Sequence, residues 1–442
     1  MSSVFYRAPG QAYPRAVRGE GVYLWDADGQ KYLDGSGGAA ISCLGHGHAG
    51  VISAVRRQAG DMAFAHTQFF TNEPQEQLAV RLAELCPIPD ARVYFLSGGS
   101  EANETALKLV RQYWRSAGEH DRHIVITRRQ SYHGNTLGAL SVTGHTKRRA
   151  PYEPMLHQWP RVSPCNAYRD QLPNETTAQY VRRLADELDQ AIVAAGPGNV
   201  AAFMGETVVG ASLGAVPPAE GYWRAMREVC DRHGILLVLD EVMAGCGRTG
   251  TWHGFEQDGI QPDIVTLAKG ISGGYQPLGA ALASGAVHER MAQDGFAHGH
   301  TFVGHATACA AGLAVLDAIE HEDLLKQVRH RGRLLRSELR RRFSSHAHVG
   351  EVRGRGLFVG LELVLDRETR QPVPAEWGLP AKLRKAAMAH GLICYPGGGT
   401  ADGKDGAHIL LAPPFIISEP QVHELCELLS DTLGGFSFDG TD

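Results

Sequence analysis

The chain has 442 residues, with 43% hydrophobic and 21% charged, a composition that excludes a disordered or low-complexity protein and is long enough for two domains, or one large domain with an appendage. A net charge of −5, with no run of five like charges, speaks against nucleic acid as a partner, and no segment approaches the ~18 apolar residues of a membrane span. Eight scattered cysteines without a Cys-x-x-Cys pair read as reduced core residues of a cytoplasmic protein.

The opening residues carry no apolar targeting core. Residues 22–26 and 31–33 then read as strands of a small meander around an Asp28-Gly29 turn. From about residue 51 to 318, short apolar strands alternate with amphipathic helices. Strands are expected at 93–96, 124–127, 200–204, 235–239, 264–268 and 278–283. Nearly unbroken apolar strands between helices predict an α/β fold with a mainly parallel sheet covered on both faces. A helix over 307–319 leads into a mixed α+β region, with strands at 357–363 and 408–411 and helices at 379–389 and 419–432. The basic stretch 329–342 is broken by Leu334, Leu335 and Leu339, which makes it one solvated face of a helix. The Gly-rich stretch 397–406 reads as a loop.

In such sheets ligands bind beyond the carboxyl ends of the strands, so the residues there deserve inspection. The first such strand runs into Ser97-Gly98-Gly99-Ser100 and a helix with an apolar stripe at Ala102, Ala106, Leu109 and Val110. Two glycines and free N–H groups at a helix start make either a phosphate cradle or a plain N-cap. Asp240 ends a buried strand; it is either a structural acid bonded to backbone N–H groups or the partner of a cation such as a protonated pyridine. Lys269 follows another strand; it either snorkels to the rim or serves as a desolvated amine nucleophile. Tyr132, in Ser131-Tyr132-His133-Gly134, packs in the core or lies flat on a cofactor ring. Singly these are weak signals. Together they put a phosphate cradle, an acid, an aromatic and a lysine on one side of one sheet.

Two further patterns point elsewhere. Residues 245–250 fit a dinucleotide-binding glycine pattern but are followed by Thr251-Trp252-His253-Gly254 and open no helix; residues 210–214 fit a hydrolase elbow but run into Pro217-Pro218. The histidines at 46, 48, 298, 300 and 305 lack a Cys or carboxylate to complete a metal set.

From Gly45-His46-Gly47-His48 through SGGSEANETALKLV, SYHGNT, LVLDEVMAGCGRTG, LAKGISGGYQPLGA, HGHTFVGH and LLAPPF, the chain resembles the class III (ornithine/ω-amino-acid type) aminotransferases of the fold-type I pyridoxal 5'-phosphate (PLP) enzymes. The resemblance implies a large PLP-binding domain over 59–320 and a smaller α+β domain made from both termini, 1–58 and 321–442. It implies that Lys269 holds the cofactor as a Schiff base and shuttles a proton, and that Asp240 pairs with the pyridine nitrogen. Tyr132 and Val242 would press on the two ring faces, with His133 beside them, and Gly99 and Ser100 would bind the phosphate. Thr301 would reach the phosphate of a neighbouring subunit, so a homodimer with shared sites is implied.

The pattern departs at the substrate. Many relatives bind a carboxylate with an arginine on the late strand, where this chain has Leu410, or with a mobile arginine near the slot taken here by Tyr395. Glu206, which pairs with the late-strand arginine in ornithine-type relatives, is retained. It therefore either stays protonated or finds another cation, which is a protein group (Lys404, Arg353 or Arg355) or a substrate ammonium. The expected activity is transfer of an amino group from an amine or ω-amino donor to a keto acid, pyruvate, by ping-pong chemistry. The alternatives are another PLP reaction on this fold (aminomutase, racemase or decarboxylase) and a non-catalytic binding protein with a relic site.

Overall fold

The computed structural model describes residues 3–8 and 10–438. The N-terminal meander forms as its turn chemistry requires. Strands Tyr23–Asp26 and Lys31–Asp34 pair antiparallel. Between them Asp26 Oδ1 accepts from the N–H groups of Asp28 (3.0 Å) and Gln30 (2.9 Å), and Gly29 takes φ +84°. A further strand, Ala16–Glu20, lies on one edge, and Leu392–Ile393 joins the other edge in parallel from the far end of the chain.

The large sheet has seven strands. Across it run Arg92–Leu96, Gly279–Ala283, Ile264–Leu267, Leu236–Asp240, Val200–Glu206, Ile124–Arg128 and Arg161–Val162. All neighbours are parallel except Gly279–Ala283, which is antiparallel to both strands beside it. Side chains alternate between two apolar layers, as a strand's period of two dictates. Leu237 and Leu239 face the layer that holds Trp223, Leu188 and Phe255. Leu236 and Val238 face the layer built on Ala102, Ala106 and Val110 of helix Gly99–Ser116. With both faces covered, the strands carry no polar face, which is why they read as continuous apolar runs.

The C-terminal region adds an antiparallel sheet in the order Val349–Arg355, Phe358–Asp366, Ala407–Leu411, Tyr395–Gly398. One apolar cluster joins Val22, Leu33 and Leu44 from the start of the chain to Leu335, Leu383, Leu392 and Leu425 near its end. Helix Leu324–Arg342 buries Val328, Leu335 and Leu339 and leaves its last-turn arginines at the surface or half-buried. The expected loop 397–406 begins inside a strand: Tyr395–Gly398 is hairpin-paired to Ala407–Leu411, with Tyr395 opposite Leu410. Glycine composition hid a pairing that the backbone makes without side chains. Among the described residues no helix is long and apolar enough to cross a membrane.

A buried ionic knot ties the C-terminal sheet to the large unit. Glu362, fully buried, accepts from Arg353 Nη2 (2.6 Å), Arg169 Nη2 (2.6 Å) and Thr400 Oγ1 (2.7 Å). With two guanidinium partners, its carboxyl is held below the usual range despite burial.

Candidate active site

The carboxyl ends of the parallel strands open onto a cavity of about 270 Å³. Lys269, Asp240, Tyr132, His133, Val242, Gly99, Ser100 and Glu206 all line it. Four strand ends and one helix start bring them together.

The cradle is made by backbone geometry. Gly98 is the N-cap of helix Gly99–Ser116, so its first N–H groups have no helical partner. A Cβ at Gly99 would lie 2.8 Å from Val242 Cγ1, and one on Gly134 (φ +140°) would lie 2.7 Å from Ser100 Oγ. These glycines keep the wall open and the backbone close. Ser100 Oγ accepts from the N–H of Asn135 at 3.1 Å.

Asp240 is the last residue of strand Leu236–Asp240 and is 4% exposed. Its Oδ2 accepts from Asn103 Nδ2 (2.7 Å) and lies 2.8 Å from His133 Nδ1; its Oδ1 accepts from the Val242 N–H (2.9 Å). Asn103 also donates to the His133 carbonyl (2.6 Å) and accepts from Thr266 Oγ1 (2.6 Å). The carboxyl group is thus fixed on both oxygens by an amide, an imidazole and a backbone N–H. Asn103 was absent from the sequence-based set. Its one signal is position: it stands one helical turn beyond Gly99, on the face turned to the sheet.

Lys269 follows Ala268 at the end of strand Ile264–Leu267 and starts a short 3₁₀ turn, Lys269–Ile271. It adopts φ +49°, a left-handed conformation that costs a non-glycine residue on the order of 1 kcal/mol or more. Burial pushes its amine down; the carboxylates of Asp240 and Glu206 oppose this, and the charge of Arg148 adds to it. A strained lysine with a depressed pKa is equipped as an amine nucleophile.

Glu206 is 4% exposed, and burial raises its carboxyl. It finds none of the expected protein cations. Its Oε1 accepts from the Tyr132 N–H (2.9 Å) and its Oε2 from the Gly210 N–H (2.8 Å). Arg353 is committed to Glu351 and Glu362, Arg355 to Asp258, and Lys404 is exposed. Backbone donors, invisible to a search for partner side chains, hold it instead.

Leu410 is fully buried beside Met243, Val208 and Phe358. Tyr395 is not among the cavity-lining residues; its hydroxyl lies 3.5 Å from Arg148 Nη2, and the Arg148 guanidinium sits 4.6 Å from the Tyr132 ring centre. Arg148 too was missed, because it lies in a short polar helix, Thr146–Arg149, without a pattern to single it out. Thr301 sits on an exposed turn and is not among the cavity-lining residues either. Residues 245–250 run in turns and open no helix; there Arg248 donates to the carbonyls of Pro413 (2.6 Å), Leu357 (3.2 Å) and Ser42 (3.2 Å), a structural tie.

Comparison with known proteins agrees with this geometry. The family model for class-III aminotransferases matches residues 6–433. An uncharacterised aminotransferase of Schizosaccharomyces pombe is 46% identical, covering 97% of this chain and 94% of the relative. An (S)-enantioselective omega-transaminase from Thermomicrobium roseum superposes with a TM-score of 0.91 at 38% identity, covering 99% of this chain and 97% of that one. A four-fold mutant omega-transaminase from Pseudomonas jessenii gives 0.91 at 33% identity, covering 97% and 96%. With that match and those likenesses spanning nearly its whole length, the chain belongs to the class-III aminotransferases and has their fold-type I architecture.

Proposed function

We propose that the protein uses PLP to move an amino group from an amine or ω-amino donor to a keto acid, pyruvate, in two alternating half-reactions. The observation that carries this is the convergence of Lys269, the anchored Asp240 and the glycine-lined helix start on one cavity. These groups fit the cofactor: an amine for its aldehyde, an anion for its ring nitrogen, and free N–H groups with Ser100 for its phosphate. When bound, PLP supplies an electron sink for the bond broken at the substrate carbon.

The residues do the rest. Asp240 presents an anion to the ring nitrogen while Asn103 and His133 hold it in line. Tyr132 and Val242 both line the cavity and would bracket the cofactor ring. Lys269 Nζ, as a free amine, would take the proton from the substrate carbon and deliver it two atoms away, to the carbon on the other side of the transferred nitrogen. Burial, by lowering its pKa, favours the free amine that this exchange needs. Burial of the cavity walls keeps bulk water from the transferred proton.

The walls also support the choice of donor. Leu410 and Tyr395 take the two places where relatives put carboxylate-binding arginines, which disfavours tight use of glutamate with 2-oxoglutarate. Glu206 lines the cavity with its two oxygens held by backbone N–H groups and in no ion pair among the described residues, so a donor's second ammonium would find a counter-charge there. Exposed Phe302 follows Thr301 directly and meets exposed Phe64 at 6.2 Å between ring centres, with exposed Phe69 and Phe70 following Phe64 in the chain; this apolar surface supports a homodimer in which Thr301 would serve the partner's phosphate.

The test is a panel of amines, ω-amino acids and α-amino acids against pyruvate and 2-oxoglutarate. We expect a carboxylate-free or ω-amino donor with pyruvate to be fastest, and borohydride to fix the cofactor on the Lys269 peptide. Glutamate with 2-oxoglutarate as the fastest pair would overturn the reading of donor and acceptor. Cofactor trapped on another lysine would overturn the assignment of Lys269.

A further inference from the structure

We propose that Arg148 receives the carboxylate of the acid substrate, replacing in space the arginines missing at 410 and 395. This deepens the transfer reading and rests on it.

The arginines around the cavity divide by how they are used. Arg149 is consumed by structure: it donates to the carbonyls of Leu140, Ser141 and Thr143 and pairs with both oxygens of Glu153. Arg128 is fully buried, bonds the Glu206 carbonyl and lies over Trp223. Arg148, by contrast, is half-buried and has no carboxylate partner among the described residues. Among the described residues its guanidinium meets two aromatic groups, the Tyr132 ring at 4.6 Å and the Tyr395 hydroxyl at a long 3.5 Å.

Those two contacts fix where it sits. Tyr132 lines the cavity, and Tyr395 packs against the cluster of Val208 and Met243, which line it too; Arg148, in contact with both tyrosines, stands just outside the lining at the cavity rim. Its charge is felt by both Lys269 and Tyr132, which places it within electrostatic reach of the reacting end. The planar fork lies against one ring and uses a single weak hydrogen bond, so most of its N–H donors are left for an anion. Carboxylate is the anion this donor set suits: two parallel N–H groups match its two oxygens. Every keto acid acceptor and every amino acid product of the proposed reaction carries one. The Tyr395 hydroxyl, held on Arg148 and opposite Leu410 in the hairpin, is a second donor toward the same oxygen pair.

The experiment uses holoenzyme and the variants Arg148→Gln and Arg148→Lys. Binding of propionate, a non-reacting carboxylate, is measured by calorimetric titration; KM and kcat are measured for pyruvate with a carboxylate-free amine as donor. We expect Arg148→Gln to weaken propionate binding and raise the KM for pyruvate by about 10- to 100-fold, the range for a charged hydrogen-bonded pair, with a much smaller change in kcat. Arg148→Lys should recover part of that loss. Cofactor absorbance and unfolding midpoint should match wild type in both, which separates binding from mere support of the Tyr132 ring. Unchanged propionate affinity in Arg148→Gln overturns the proposal, as does a fall in kcat and cofactor retention with KM unchanged. If Arg148→Gln does not fold, the lysine variant carries the test: propionate affinity equal to wild type overturns the proposal, and a several-fold loss supports it. Propionate binding needs no turnover. A wild-type enzyme that holds propionate through Arg148 but transfers no amino group would therefore sink the transfer reading and leave this one standing.

Discussion

Asp240 is held by an amide, a backbone N–H and an imidazole, with no lysine or arginine among its hydrogen-bond partners. Asp240→Asn preserves shape and removes the anion, so it should retain some cofactor and lose activity on the order of 10²-fold or more, read as kcat in steady-state assays. Near wild-type turnover would refute the role. His408 shows the opposite case of a buried group with no partner. Both ring nitrogens are buried without a hydrogen bond among the described residues, and burial, with Arg353 nearby, pushes its pKa to about 3. The unfolded ring takes its proton near 6.5, so between those values the unfolded chain binds the extra proton. Stability from this group is complete above 6.5 and lost as pH falls toward 3. His408→Leu should flatten that decline by about 1 kcal/mol per pH unit, measured by urea unfolding from pH 7 to 4. At this scale the sequence exposes residues that sit at strand ends, such as Lys269 and Asp240, because position alone marks them. It hides Asn103, whose role depends on a strand 137 positions away, and Arg148, which is one basic residue among three.

Among the elements, strands announced themselves by composition, but their directions did not. Residues 278–283 look like any other apolar strand, yet Gly279–Ala283 runs against its neighbours; orientation comes from the connection, and a ten-residue link from Lys269 cannot carry a parallel crossover. The pairing of Tyr395–Gly398 with Ala407–Leu411 was masked by glycines for the same reason: backbone hydrogen bonds leave no trace in side-chain pattern. The hairpin is pinned by Thr400, which donates to Glu362, and by Gln130 Nε2, which donates to the Gly399 carbonyl at 2.8 Å. Glu362→Gln would leave Arg169 without a counter-ion and Arg353 with Glu351 alone. It should destabilise the fold by about 3–5 kcal/mol in denaturant titration, as removing one partner from a buried ionic group does. A loss under 1 kcal/mol would show the knot to be idle.

For the molecule as a whole, the proposed second copy makes a separable prediction. Sedimentation should give a dimer, and Thr301→Ala should leave the dimer intact while the cofactor washes out faster in dialysis; an active monomer would contradict both. A different consequence follows from the edge of the N-terminal meander, where Leu33 pairs with Leu392, about 360 residues later. The three meander strands pair with one another, but the strand that completes their edge lies at residues 392–393. Val22, Leu33 and Leu44 share their cluster with Ala311 and Leu335 and also with Leu383, Leu392 and Leu425, so part of their burial waits for those later residues. The seven-stranded sheet needs only residues 92–283 and can form while the chain is still growing. The parallel pairing at this edge is therefore a long-range closure that can follow the large sheet, with the loop-closure cost that such separation carries.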